Sequence, residues 1–131
     1  MIPVGTPLPE WRLTSVSPEK MKVMAAILRD PNPIHWDRRA VLQKGFGTRL
    51  INQGPINVGY VMNMLMAWAG NDAIRSITVR FTANVLEGDE VVAGGKVTAV
   101  EGNLVTCHVW LERGDGERAL VGTAKVEIGR R

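Results

Sequence analysis

Hydrophobic positions recur with two different periods along this chain. Between residues 17 and 44 the spacing is helical. Met21, Met24, Ala25 and Leu28 fall on one face of a 3.6-residue period. Ser17-Pro18-Glu19 ahead of them offers a serine N-cap and a proline at the first helical position. Asp30-Pro31-Asn32-Pro33 ends that helix, because neither proline continues the hydrogen-bond ladder. A short second helix is expected over 38–44, with Asp37 as its cap and Gly45-Phe46-Gly47 closing it. Gly54-Pro55 then opens a segment, Ile56 to Trp68, that is apolar nearly all the way round. A helix without a polar face is buried on all sides, so something must wrap it.

The second half supplies the wrapper. Ile77, Val79, Phe81, Ala83 and Val85 alternate with Thr78, Arg80, Thr82 and Asn84, the two-residue period of a half-buried strand. Val91 to Val100 reads as a further strand, with Gly94-Gly95 predicting a bulge or bend. Glu101-Gly102-Asn103 turns it into a strand over 104–112, and Gly114-Asp115-Gly116 turns that into one over 119–128. Short glycine-bearing turns make neighbouring strands antiparallel. Counting Trp11 to Val16, the pattern predicts one α+β domain over residues 1–131. Its five-stranded antiparallel sheet is wrapped around a buried central helix.

Composition narrows what such a domain does. With 131 residues, 45% hydrophobic and 22% charged, there is room for one core, and disorder is excluded. Cys107 is the only cysteine, which excludes a disulfide scaffold and a cysteine-built zinc site; His35 and His108 are a poor alternative, so no metal is expected. The net charge is +3, but the cations are scattered, with no run longer than Arg38-Arg39 or Arg130-Arg131. That balance suits a small anionic ligand and gives no nucleic-acid footprint. The N-terminus lacks the pattern of a signal peptide. The longest apolar stretch, Val58 to Ala69, has 12 residues against the roughly 20 a membrane span needs. A soluble, cytoplasmic protein without membrane contact is expected.

Reactive side chains are densest in Arg29-Asp30-Pro31-Asn32-Pro33-Ile34-His35-Trp36-Asp37. The residues alone leave two readings open. Asp before Pro-Asn-Pro is ordinary turn chemistry, with Asp37 a helix cap. Alternatively, two prolines stiffen the loop so that Asp30 and His35 grip one water between a carboxylate and an imidazole.

The run Asp30-Pro31-Asn32-Pro33-Ile34-His35, followed by Asp37 and Ala40, resembles the hydratase motif of the MaoC-like dehydratases and (R)-specific enoyl-CoA hydratases. That resemblance, spanning motif loop, Gln53-Gly54, apolar helix and strands, implies a single hot-dog domain. It also implies an enoyl-CoA hydratase or dehydratase, adding water to a 2-enoyl-CoA to give a 3-hydroxyacyl-CoA, of (R) configuration in known relatives, in fatty-acid or steroid side-chain metabolism. Asp30 and His35 would be the catalytic pair, with either as formal base. Asn32 and Gln53 would support them, and the Gly54 N–H would receive the thioester carbonyl. No cofactor is implied, since the substrate itself carries coenzyme A. Arg29, Gln53 and Pro55 depart from the family's usual residues. The stretch from Asn52 to Gly70 also resembles small subunits of actinobacterial steroid side-chain hydratases, which work with a related chain. Two other functions fit the same fold: an acyl-CoA-binding partner subunit of a heteromeric hydratase, and a hot-dog acyl-CoA thioesterase.

Several further residues carry expectations. Met62, Met64, Leu65 and Met66 read as core, with a share in lining an acyl tunnel. Asn63, polar within the apolar helix, must find a partner in backbone, a symmetry mate or substrate. Arg38, Arg39, Lys44 and Arg49 are the nearby cations for coenzyme A phosphates. Cys107 reads as inert core and His108 as a sheet-surface residue. One such domain is small for enclosing an acyl chain, so the site is expected at a junction of subunits, in a homodimer or a heteromer with a related chain. The sequence leaves open the acyl group, coenzyme A against carrier protein, and the direction of reaction.

Overall fold

The computed structural model describes residues 2–30 and 32–129; Met1, Pro31 and the Arg130-Arg131 pair lie outside the described residues. Five strands form one sheet: β1 (Trp11–Leu13), β2 (Ile74–Phe81), β3 (Val91–Glu101), β4 (Leu104–Arg113) and β5 (Arg118–Glu127). Their order is β1-β3-β4-β5-β2 and every pairing is antiparallel. The helices are α1 (Pro18–Leu28), α2 (Arg38–Gln43) and α3 (Gly54–Ala69), with a 3₁₀ turn over Pro33–His35 between the first two.

Local chemistry accounts for the helix starts. The Ser17 hydroxyl accepts from the Lys20 N–H at 3.4 Å and Asp37 accepts from the Arg39 N–H at 2.9 Å, each occupying a donor that the first helical turn leaves free. Helix α1 buries Met21 and Ala25, whereas Leu28 is 45% exposed, so the expected apolar face stops one turn short. Helix α3 lies against the sheet through Val61, Met64 and Leu65. There it meets a core that includes Cys107, Val109 and Leu111 of β4 and Leu120, Ala124 and Val126 of β5. Burial of each such large aliphatic side chain stabilises by about 1.5–3 kcal/mol.

Three expectations need correction. Helix α3 is not buried on all sides: Pro55, Asn63 and Ala67 are exposed, and Gly59, Met62 and Met66 are half-buried. At about 100° per residue these make one stripe, opposite the stripe of Asn57, Val61, Met64 and Leu65 that meets the sheet. Asn63 is therefore outside the core rather than within it. The second correction concerns Gly94-Gly95, which sits in regular register with Trp110 and Val109; the irregularity falls between Val97 and Ala99. Those glycines answer to crowding, since a Cβ on Gly94 would stand 2.6 Å from the Trp110 Nε1 and one on Gly95 2.7 Å from the His108 carbonyl oxygen. Third, the strand expected to reach Val85 stops at Phe81, and the first strand stops at Leu13; Val85 is fully buried, but in the loop beyond β2.

Gly122 of β5 is the tightest such position. A Cβ there would lie 2.2 Å from the Thr78 carbonyl oxygen and 3.0 Å from the Val79 Cα of β2. Backbone cannot swing aside as a side chain does. Gly122→Ala is expected to destabilise by about 3 kcal/mol, lowering Tm by roughly 10 °C in a melting curve. A shift below about 2 °C would show that β2 and β5 separate without cost.

Candidate active site

The loop after α1 is shaped by its own side chains. Arg29 closes α1 in the left-handed region (φ 52, ψ 39), the only non-glycine residue at positive φ among those described. Such a backbone costs roughly 1–2 kcal/mol in a residue with a Cβ. One oxygen of Asp30, Oδ1, accepts from the Asn32 N–H at 3.0 Å, and Asn32 Oδ1 accepts from the Ile34 N–H at 3.3 Å, starting the 3₁₀ turn. The turn and cap chemistry is thus present in full. It leaves the other oxygen of Asp30 uncommitted, and that oxygen, Oδ2, lies 3.4 Å from His35 Nε2.

His35 is 8% exposed, and its Nδ1 sits 2.6 Å from the Ile51 carbonyl oxygen. A carbonyl only accepts, so Nδ1 carries a proton and Nε2 is the ring position free to gain or lose one. Ile34 is bonded to the same residue in the other direction, its carbonyl accepting from the Ile51 N–H at 3.0 Å. The 3₁₀ turn is thereby fastened to the segment that leads into α3.

Three residues beyond Ile51, a span of at most about 10 Å, the helix opens at Gly54. Pro55 has no N–H, and the N–H groups of Ile56 and Asn57 bond back to the Gln53 carbonyl at 3.1 and 3.2 Å. Gly54 N–H has no hydrogen-bond partner among the described residues, and it stands at the positive end of a 16-residue helix. Gln53 does not cap the helix with its side chain. Its Nε2 reaches across to the Met21 carbonyl of α1 at 2.7 Å, tying the start of α3 to α1 while the residue is 1% exposed.

A second polar group at this helix start was not anticipated. Asn52 Nδ2 donates to Asn57 Oδ1 at 2.9 Å and to the Tyr60 hydroxyl at 3.2 Å, and Tyr60 stacks on Trp11 of β1 with ring centroids 5.4 Å apart. Burial pushes the Tyr60 hydroxyl pKa up, and the bond from Asn52 offsets this only in part. The cluster clamps α3 to the incoming segment. Its signal was a pair of asparagines flanking Gly54 at −2 and +3, which makes sense only once both are known to be buried.

The remaining expected residues do not converge on this point. Arg38 pairs with Glu87 and Arg49 with Asp89 at 2.9 Å, so two of the four cations are already neutralised by carboxylates; Arg39 and Lys44 are exposed. Asn63 faces outward from α3. His108 lies over the sheet with Nδ1 3.1 Å from the Gly122 carbonyl oxygen and its ring beside Trp110. Cys107 is fully buried, which pushes its thiol pKa up to about 11 and keeps it unreactive. Among the described residues no group of three His, Cys, Asp or Glu is placed to hold a metal ion. No helix among them is long and apolar enough to cross a membrane.

Chemically, a carboxylate oxygen and a ring nitrogen 3.4 Å apart offer one water two neighbouring proton acceptors. A lone N–H at a helix start is suited to an oxygen on which negative charge develops. Known proteins are similar to this chain in sequence and in fold. The beta subunit of the 3-oxo-4,17-pregnadiene-20-carboxyl-CoA hydratase of Mycobacterium tuberculosis is 32% identical over 132 residues, covering 100% of this chain and 98% of that one. The solved ChsH1-ChsH2 complex from Mycobacterium tuberculosis contains a chain of 28% identity that superposes with a TM-score of 0.84, covering 98% of this chain and 99% of that one. An (R)-hydratase from A. caviae involved in PHA biosynthesis superposes at 0.86 over 97% of both chains; at 23% identity it speaks for the hot-dog fold alone. The family model described as MaoC like domain matches residues 3–109, and the chain belongs to that family.

Proposed function

We propose that this chain hydrates the double bond of a 2-enoyl-CoA, giving the 3-hydroxyacyl-CoA, with (R) configuration as the family resemblance implies. The observation that carries the reading is the Asp30–His35 pair: Oδ2 and Nε2 face each other at 3.4 Å while every other polar atom of the two side chains is held by backbone. In this reading the pair takes a proton from water, whose oxygen bonds to C3 of the substrate. Electron density moves through C2 to the thioester oxygen, which the Gly54 N–H stabilises. The abstracted proton is returned at C2. Water supplies both added groups, the hydroxyl at C3 and the hydrogen at C2, so the addition needs neither an electron carrier nor a cofactor beyond the coenzyme A of the substrate.

The second reading is a subunit of a heteromeric hydratase. It draws on the open stripe of α3 and on the relative named as a beta subunit. The two readings are compatible: one chain contributes the pair, and a related hot-dog chain covers α3 and completes the cleft. Arg39 and Lys44 remain the cations available to coenzyme A phosphates.

A panel of enoyl-CoAs decides between the classes. The protein, purified from its native host so that a tightly bound partner is retained, is expected to consume short, long or steroid-type 2-enoyl-CoAs and to yield the 3-hydroxyacyl-CoA by mass spectrometry. Release of free thiol without hydroxyacyl product would identify a thioesterase and overturn the reading.

A further inference from the structure

Gly54 has no conformational need to be glycine. Its φ lies outside the left-handed region, and a glycine in the first helical turn gives up stability that alanine would supply. What excludes a side chain there is one neighbour. A Cβ on Gly54 would stand 2.9 Å from Cζ of Phe81, with the next two ring atoms at 3.1 and 3.4 Å.

Phe81 is placed there by the strand. Ile77, Val79 and Phe81 alternate on the inner side of β2, and the first two join the core. Phe81 continues that row past the core, at the level where α3 begins, and it is 51% exposed although it points inward. Its backbone is fixed: it pairs with Leu120, and the next residue bonds twice to β5, through Thr82 N–H to the Ala119 carbonyl at 2.9 Å and Thr82 Oγ1 to the Arg118 carbonyl at 2.7 Å. An exposed aromatic ring is thus held by a rigid strand beside the unpartnered Gly54 N–H.

We propose that Phe81 is a specificity-determining residue of this site: its ring is the wall on which the thioester bound at the Gly54 amide rests, and its bulk is what requires position 54 to be glycine. This rests on the reading of the Gly54 N–H as the acceptor site for a thioester carbonyl. Phe81 acts by contact with the bound acyl thioester and takes no part in proton transfer. It governs KM and acyl-group preference, leaving kcat within about threefold.

The test uses Phe81→Leu, Phe81→Ala, Gly54→Ala and the Gly54→Ala/Phe81→Ala double variant, each purified as the assembly the wild type forms. Two readouts are taken: kcat and KM over a series of enoyl-CoAs, and binding of a saturated acyl-CoA that is not turned over. Phe81→Ala is expected to raise KM and the dissociation constant about tenfold for short acyl groups and less for bulky ones. Phe81→Leu falls between. For bulky acyl groups, which lose least from Phe81→Ala, the double variant is expected to exceed Gly54→Ala by at least about tenfold, because the obstructing ring is gone. Unchanged KM in both Phe81 variants, or a double variant no better than Gly54→Ala, overturns the proposal while hydration by the wild type still stands. A wild type that neither binds nor hydrates any acyl-CoA overturns both. Phe81→Leu keeps the test decisive if a Gly54 variant does not fold, since the exposed ring contributes no hydrogen bond.

Discussion

Asp30→Asn and His35→Asn are each expected to lower kcat/KM for enoyl-CoA hydration by about a thousandfold while leaving the fold in place. The two substitutions are chosen from the bonds each side chain makes. Asparagine at 30 keeps an oxygen for the Asn32 N–H and puts an amide where Oδ2 faces the ring. Asparagine at 35 places an N–H near the position of Nδ1, preserving the bond to the buried Ile51 carbonyl, and lacks any counterpart of Nε2. His35→Ala is the poorer probe, because it strands that carbonyl at a cost of about 1–3 kcal/mol and confounds rate with stability. General acid–base residues contribute about 10²–10⁴ in rate, so a thousandfold loss corresponds to about 4 kcal/mol of transition-state stabilisation. Because the two groups act on one water, the double variant should be little worse than either single one. Steady-state kinetics with melting curves for each variant checks this. If the loop were only a turn and a cap, Asp30→Asn, which keeps the turn bond, would spare the rate as well as Tm. Retention of more than about a tenth of wild-type activity would remove the pair from the mechanism.

The elements that could be read from the sequence are those whose causes are local. Ser17 before Pro18, Asp37 before Arg38 and the glycine turns after Glu101 and Arg113 each act within a few residues, and the structure has α1, α2 and both hairpins at those places. The loop bearing Asp30 and His35 is marked in the same local way by its prolines, whereas the catalytic role of the pair is implied by the family resemblance. What stayed hidden depends on residues far apart in the chain. Gln53 enters the sequence reading only as a support for the Asp30–His35 pair, and its bond to the carbonyl of Met21, 32 residues earlier, needs the fold to be seen. Gly94-Gly95 reads as a bulge until Trp110 is placed opposite it. Phe81 reads as one more inward strand residue, and only the position of α3 shows that the row of β2 runs past the core to Gly54. Arg29 in the left-handed region has no signal at all in its residue type, since arginine is a poor choice for that backbone.

Helix α3 reads from its residues as apolar nearly all the way round, yet one stripe of it is open in the chain. Burial within one chain covers the stripe of Asn57, Val61, Met64 and Leu65 and leaves Pro55, Asn63 and Ala67 exposed. Ala67 is exposed on the open stripe, with Asn63 one turn before it and Met66 half-buried beside it. In a lone chain Ala67→Glu would be a surface change worth less than about 0.5 kcal/mol. Under a second hot-dog chain the same carboxylate is buried without a partner, and a loss of about 3 kcal/mol or more weakens association at least about a hundredfold. Ala67→Glu is therefore expected to release this chain from the assembly as a 14.4 kDa species by light scattering, with near wild-type circular dichroism. Hydration should fall with it, because in the proposed assembly the second chain closes the site beside Asp30, His35 and Phe81. A variant with unchanged mass and unchanged rate would place the partner elsewhere and return Asn63 and the methionines of this stripe to solvent.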